Sequence, residues 1–120
     1  MVQHLEIIDN EDGTFTLAKN LEFMSYSIPK GFQTDFASVP KSLHWFVEPY
    51  GKHSKAAVLH DYLYTTLGGK YNLTRKECDQ TFYHALVKCG VSRWKAYVMY
   101  KAVRIAGWVP WNKYKNDYQF

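Results

Sequence analysis

Apolar and polar residues alternate along the first third of the chain and then change period. HLEIID and TFTLA, on either side of NEDG, carry the two-residue rhythm of half-buried strands, and Asp12-Gly13 supplies a turn in which glycine can take positive φ. LEFMSYSIP alternates as a third strand, which Pro29 stops. PKGF then turns the chain, and QTDFASVP is short, irregular and polar.

From about residue 41 the period becomes helical. KSLHWFVEP reads as one short helix or turn that ends before Pro49. Ser54 is placed to cap a helix running to about Leu67, where Gly68-Gly69 stop it. TRKE at 74–77 fits a capping box, with Leu73 placed for a hydrophobic staple to Cys78; this helix runs to about Cys89, and Gly90 ends it. Ser92 caps a third helix reaching about Ala106, ended by Gly107 and Pro110. The tail WNKYKNDYQF is polar and aromatic and is expected on the surface. With no repeat, linker or low-complexity tract, the pattern predicts one α+β domain over residues 1–120. N-terminal antiparallel β strands (1–32) precede a mainly helical core of antiparallel helices (33–107) and a surface tail (108–120).

Composition agrees with a folded domain: 47% of residues are apolar and 22% charged. Aromatics reach 18%, which a small core can absorb as filling, with a half-wet surface facing a membrane, a partner or a groove as the alternative. The net charge of +4 permits attraction to phosphates or anionic lipid, but the cations are scattered and form no block. Cys78 and Cys89 fall on one predicted helix, roughly 16 Å apart, too far for a disulfide. Both are expected to be reduced, which favours synthesis in the cytosol. No early apolar run resembles a signal peptide, and none is long enough to span a bilayer.

Against this background one pair stands out. AAVLHDYLYTT places His60 and Asp61 together in an apolar helical run, where an unpartnered charge is costly. His60 lies seven residues before Leu67, and Asp79 lies six residues after Leu73. A short connection makes the two helices antiparallel, so equal distance from the turn means equal depth. His60 and Asp79 are therefore predicted to lie level on neighbouring helices, within hydrogen-bond reach. A carboxylate on one imidazole nitrogen fixes the tautomer and leaves the other nitrogen to act as a base. Tyr64, four residues on from His60, shares its face and is placed to orient Asp79. Asp61 points to a different wall, about 100° round the helix. With Asp35 in the irregular loop and carbonyls near Phe36, Asp61 makes a candidate oxygen cage for calcium.

The arrangement resembles the small calcium-dependent phospholipases A(2), especially the bacterial and fungal secreted branch. HDYLY supplies that family's HD-x-x-Y as His60, Asp61 and Tyr64. KECDQTFY supplies Asp79 as the aspartate that pairs with the histidine, and QTDFA supplies the upstream loop aspartate as Asp35. YKAVRIAG resembles the last helix, so the match runs over roughly residues 33–107. The resemblance implies ester hydrolysis: His60 activates a water, Asp79 orients the imidazole, and Ca2+ at Asp35 and Asp61 polarises the carbonyl. Lys55 and Ser38 are then the candidates for substrate contact.

A second resemblance covers nearly the whole chain. IPKGFQTDFASVPKSLHWFVEPYGKHSKAAVLHDYLY, TRKECDQTF and VSRWKAYVMYKAVRIAGW are similar to an uncharacterised family common in bacteriophage and prophage genomes. It implies a viral source, synthesis in the host cytoplasm without an export signal, and incorporation in the virion as one fate. The expected partners are a phospholipid or other ester, other virion proteins and a peripheral membrane surface. A non-catalytic virion, tail or assembly protein on the same scaffold is the alternative. Two further readings are weaker. A transition-metal site of the His-Asp phosphohydrolase kind would use His53 and His60 on one face, with His4 or His44 poor substitutes for a missing histidine helix. Nucleic-acid binding would use Arg93, Lys101 and Arg104, which a solvated helix face explains as well.

Overall fold

The computed structural model describes residues 5–34, 54–68 and 71–117. It is an α+β domain: five short strands precede four helices. Strand β1 (Ile7–Asp9) pairs antiparallel with β2 (Phe15–Leu17) in the expected hairpin, Ile7 opposite Leu17 and Asp9 opposite Phe15. The strand expected over LEFMSYSIP is instead a second hairpin, β3 (Leu21–Phe23) and β4 (Tyr26–Ile28), with Leu21 opposite Ile28. Met24 and Ser25 turn it with φ of 53° and 69°, the left-handed pair of a two-residue turn. Met-Ser carries no turn signature, so alternation ran straight through it. QTDFASVP is not wholly irregular: Gln33–Thr34 forms β5, on the other edge of β2.

Helix α1 (Ser54–Thr65) is the centre of the molecule. Nine of its twelve residues are buried, so it is covered on nearly every side. It packs against α2, α4, β4 and β5. Leu17, Leu21 and Ile28 of the strands join Ala56, Leu59 and Leu63 in one continuous core. The helix ends in a Schellman motif: Gly68 N–H donates to Leu63 O (2.7 Å) and Leu67 N–H to Tyr64 O (3.0 Å). Leu67, not glycine, takes the left-handed position there, with φ 52°. Gly68 follows at φ 91°, also in the region that favours glycine, and a Cβ on it would strike the backbone of Leu73.

Helix α2 (Arg75–Lys88) starts as anticipated. Thr74 Oγ1 accepts from Glu77 N–H, and Glu77 Oε1 accepts from Thr74 N–H, a complete capping box. Cys78, Asp79, Phe82, Ala85 and Leu86 form its buried stripe at helical spacing. Its C-terminal Schellman motif does place a glycine, Gly90, at positive φ.

Helix α3 (Arg93–Ala106) follows N-cap Ser92, whose side chain makes no capping hydrogen bond. Gly107 keeps right-handed backbone, and the chain resumes as α4 (Trp108–Asp117). Pro110 is tolerated because it stands in the first turn of α4, where its missing N–H would have no helical partner. The tail expected on the surface is thus helical to Asp117. Trp111 and Tyr114 are half-buried against the core, and the Trp111 ring meets Tyr64 edge-on at 5.2 Å.

Candidate functional site

Helices α1 and α2 run antiparallel, since Tyr64 meets Arg75 near the turn and His60 meets Asp79 further from it. Level placement brings the pair into contact as the spacing requires. His60 Nε2 lies 2.8 Å from Asp79 Oδ1, and both residues are 0% exposed. A carboxylate only accepts, so Nε2 carries the hydrogen in the neutral ring. The imidazole lies between two other rings, Tyr64 at 4.3 Å and Phe82 at 4.6 Å, which hold its plane. Tyr64 does orient Asp79: its hydroxyl donates to the same Oδ1 at 2.6 Å.

The other carboxylate oxygen has partners the sequence reading missed. Arg104 Nη1, from the end of α3, donates to Asp79 Oδ2 at 2.8 Å. Arg75 Nη1 makes a longer contact with the same oxygen, 3.4 Å. Arg75 also donates to the carbonyls of Val103 (3.3 Å), which accepts from Gly107 N–H as well, and Arg104 (3.2 Å), at the C-terminus of α3 where a cation is favourable. Arg104 is therefore not a freely solvated member of the Arg93–Lys101–Arg104 face. Arg75 had a sequence signal, being four residues before Asp79 on one helix. Arg104 had none, because its reach depends on where α3 crosses α2.

Gly107 completes the enclosure. A Cβ at this position would strike the Tyr64 hydroxyl and Val103 O and crowd Arg75 Nη1. Its φ of −68° needs no glycine, so the requirement is purely steric.

Electrostatics follow from this geometry. Burial alone would raise the Asp79 carboxyl, but hydrogen bonds from His60, Tyr64 and Arg104 hold it below the ordinary carboxylate value. The Tyr64 phenol is pushed up, first by burial and then by the Asp79 charge beside it, so it remains a donor. Cys78, next to Asp79, is pushed up to about 12, chiefly by burial.

Asp61 faces elsewhere. Its Oδ2 accepts from the Thr34 hydroxyl at 2.7 Å, a buried bond that fastens β5 to α1. Lys55 Nζ lies over the Phe23 ring at 5.1 Å, and Lys55 is five residues, about 140°, round α1 from His60. Asp35, Phe36 and Ser38 lie outside the described residues, as do His4, His44, His53 and the KSLHWFVEP segment. Among the described residues no group of three or more His, Cys, Asp or Glu side chains could hold a metal ion. No helix among them is long and apolar enough to cross a membrane. A cavity of about 260 Å³ lies between α2 and α3, lined by Gln80, Tyr83, His84, Tyr97 and Tyr100 and not by the dyad.

Fold and site together define an α+β domain whose helical half closes around a buried His–Asp pair. The chain belongs to the family described as a protein of unknown function, DUF1353, whose model matches residues 13–103. That span holds His60, Tyr64, Arg75 and Asp79 and ends one residue before Arg104. Comparison with curated proteins and with solved structures gives no match.

Proposed function

We propose that this chain is a phage-encoded hydrolase of the phospholipase A(2)-like kind, acting on an ester at the host envelope with His60 as general base. The observation that carries the reading is the 2.8 Å contact of His60 Nε2 with Asp79, braced by Tyr64. With Nε2–H held by the carboxylate, Nδ1 is the nitrogen that takes a proton from water. The resulting hydroxide attacks the ester carbonyl, and the imidazolium then returns the proton to the leaving alkoxide. Asp79 holds the ring in one tautomer and offsets its positive charge during the reaction. Neither side chain has exposed surface, so turnover on this reading requires the cover over the imidazole to open.

Calcium is a separate arm of the proposal. When bound, it would supply Lewis-acid polarisation of the ester carbonyl. Of the proposed ligands Asp35, Phe36 O and Asp61, only Asp61 is described, and it is engaged with Thr34, the residue preceding Asp35. One carboxylate by itself is not a calcium site, and Asp61 would need further oxygen ligands to hold the ion. Calorimetric titration of the wild type and Asp61→Asn with calcium chloride tests this arm directly. Lys55 and Ser38 remain the proposed substrate contacts.

The decisive experiment measures release of fatty acid from a short-chain phospholipid, with calcium and with chelator. Wild-type turnover lost in His60→Gln, with an unchanged melting temperature, supports the dyad; equal turnover in both removes it.

A second reading is a non-catalytic virion, tail or assembly protein. What favours it is the enclosure of Asp79. Two guanidinium groups already share the carboxylate, leaving less of its charge to stabilise an imidazolium. On this reading the cluster is a polar cross-link between α1, α2 and α3. Absence of turnover in the wild type, together with the chain in purified virions, selects it.

A further inference from the structure

The described residues segregate both charge and exposed apolar surface into the C-terminal helices. Between residues 80 and 116 the sequence has seven Lys and Arg and no Asp or Glu. Arg104 is engaged with Asp79, whereas Lys88, Arg93, Lys95, Lys101, Lys113 and Lys115 are all exposed. Six of the seven large apolar residues most exposed to solvent lie on the same helices: Trp94, Tyr97, Val98, Ile105, Trp108 and Val109, with Ile105 75% and Trp94 68% exposed. Positions 94, 97, 98, 101 and 105 share one face of α3, opposite the buried Ala96, Met99 and Val103. The three-to-four spacing continues at 108 and 109 as α4 begins.

We propose that this outer face of α3, with the start of α4, docks on an anionic phospholipid surface. The chemistry is that of an interfacial helix, with aromatic and aliphatic side chains directed out and cations on the border. Lys95 Nζ sits over the Trp94 ring at 5.6 Å and Lys101 Nζ over the Tyr97 ring at 5.7 Å. Lys101 lies within the stripe, and its long stem lets the ammonium rise to the headgroups while the methylenes stay among the apolar neighbours. A second copy of the chain fits the face poorly. A two-fold contact would bring the Arg93, Lys95 and Lys101 cations of one copy onto the same cationic face of the other. Nucleic acid would meet the cations but offers no apolar phase for Ile105, Val98 and Val109. The face is separate from His60, so docking goes beyond the hydrolase reading and does not depend on it.

The test uses full-length His60→Gln protein, so that catalysis and docking cannot be confused. Vesicles of phosphatidylcholine alone are compared with vesicles also containing phosphatidylglycerol, by co-sedimentation and by tryptophan emission. Expected is binding to the anionic vesicles, with a blue shift, that weakens as salt is raised. Trp94→Ser with Ile105→Ser should lower the partition by about tenfold or more. Lys95→Gln with Lys101→Gln should do the same on anionic vesicles. These side chains are exposed, and an unchanged melting temperature verifies that each variant folds. Three results overturn the proposal: no binding to either vesicle, equal binding to both, or binding indifferent to the Trp94 and Ile105 changes. A dimer lost in those variants, without lipid binding, assigns the face to a second copy instead.

Discussion

Replacing Tyr64 with Phe removes one hydroxyl from the Asp79 cluster, and with it the longer 3.4 Å contact from Arg75 Nη1. The ring keeps its contacts with His60 and Trp111, while the 2.6 Å hydrogen bond to Asp79 Oδ1 is lost. Both residues are fully buried, so no water replaces the hydroxyl without rearrangement. A hydrogen bond to a charged acceptor contributes about 1.5–3 kcal/mol. Asp79 keeps His60 on Oδ1 and Arg104 and Arg75 on Oδ2, which places the loss towards the lower half, about 2 kcal/mol. For a domain of this length that corresponds to a fall in melting temperature of about 8 °C. The pH dependence separates this bond from simple loss of packing. Tyr64 helps hold the folded Asp79 carboxyl below its unfolded value, so its contribution is present above the unfolded pKa of about 3.9. It is lost as pH falls through the folded value. Urea unfolding of wild type and Tyr64→Phe from pH 7 down to acid should therefore show a penalty that shrinks below about pH 4. A penalty under about 0.5 kcal/mol at pH 7, or one that does not change with pH, would refute Asp79 as the charged centre of the cluster.

Three further outcomes follow from local geometry. Gly107→Ala should destabilise by about 1–3 kcal/mol, despite the better helix propensity of alanine, because the methyl group strikes the Tyr64 hydroxyl and Val103 O; a rise in melting temperature would contradict that close approach. Leu67→Gly should be at least as stable as Leu67→Ala, reversing the usual helix order, since φ of 52° suits glycine; denaturant midpoints of the two variants decide it. Native protein at about pH 8 should alkylate at the half-buried Cys89 and spare Cys78, whose thiol is fully buried and pushed up to about 12; mass spectrometry showing equal labelling would contradict the burial of Cys78.

The helical half was legible because its signals are local. The Thr74–Glu77 capping box, the Gly90 stop and the start of the last long helix at Arg93 each depend on a few adjacent residues. Two such helices joined by a short connection leave little freedom in relative depth, so His60 and Asp79 could be matched by counting from the turn. The strands were harder. The β3–β4 hairpin turns on Met24-Ser25, residues with no preference for positive φ, and is held by pairing rather than by turn chemistry. Helix α3 does end at Ala106 with Gly107 as its C-cap, but what makes glycine necessary there is the close approach of the Tyr64 hydroxyl, which no local signal reports.

Residue order alone was enough to specify the α+β class, the capping box of α2 and a histidine level with an aspartate. These follow from periodicity and backbone hydrogen bonding, which act over a few residues. The three-dimensional packing was needed to bring Arg104 from the far end of α3 onto the same carboxylate and to fold α4 back so that Trp111 covers Tyr64. It also buried the whole pair. Those contacts depend on where helices cross and how long side chains turn at the crossing, and no spacing along the chain encodes either.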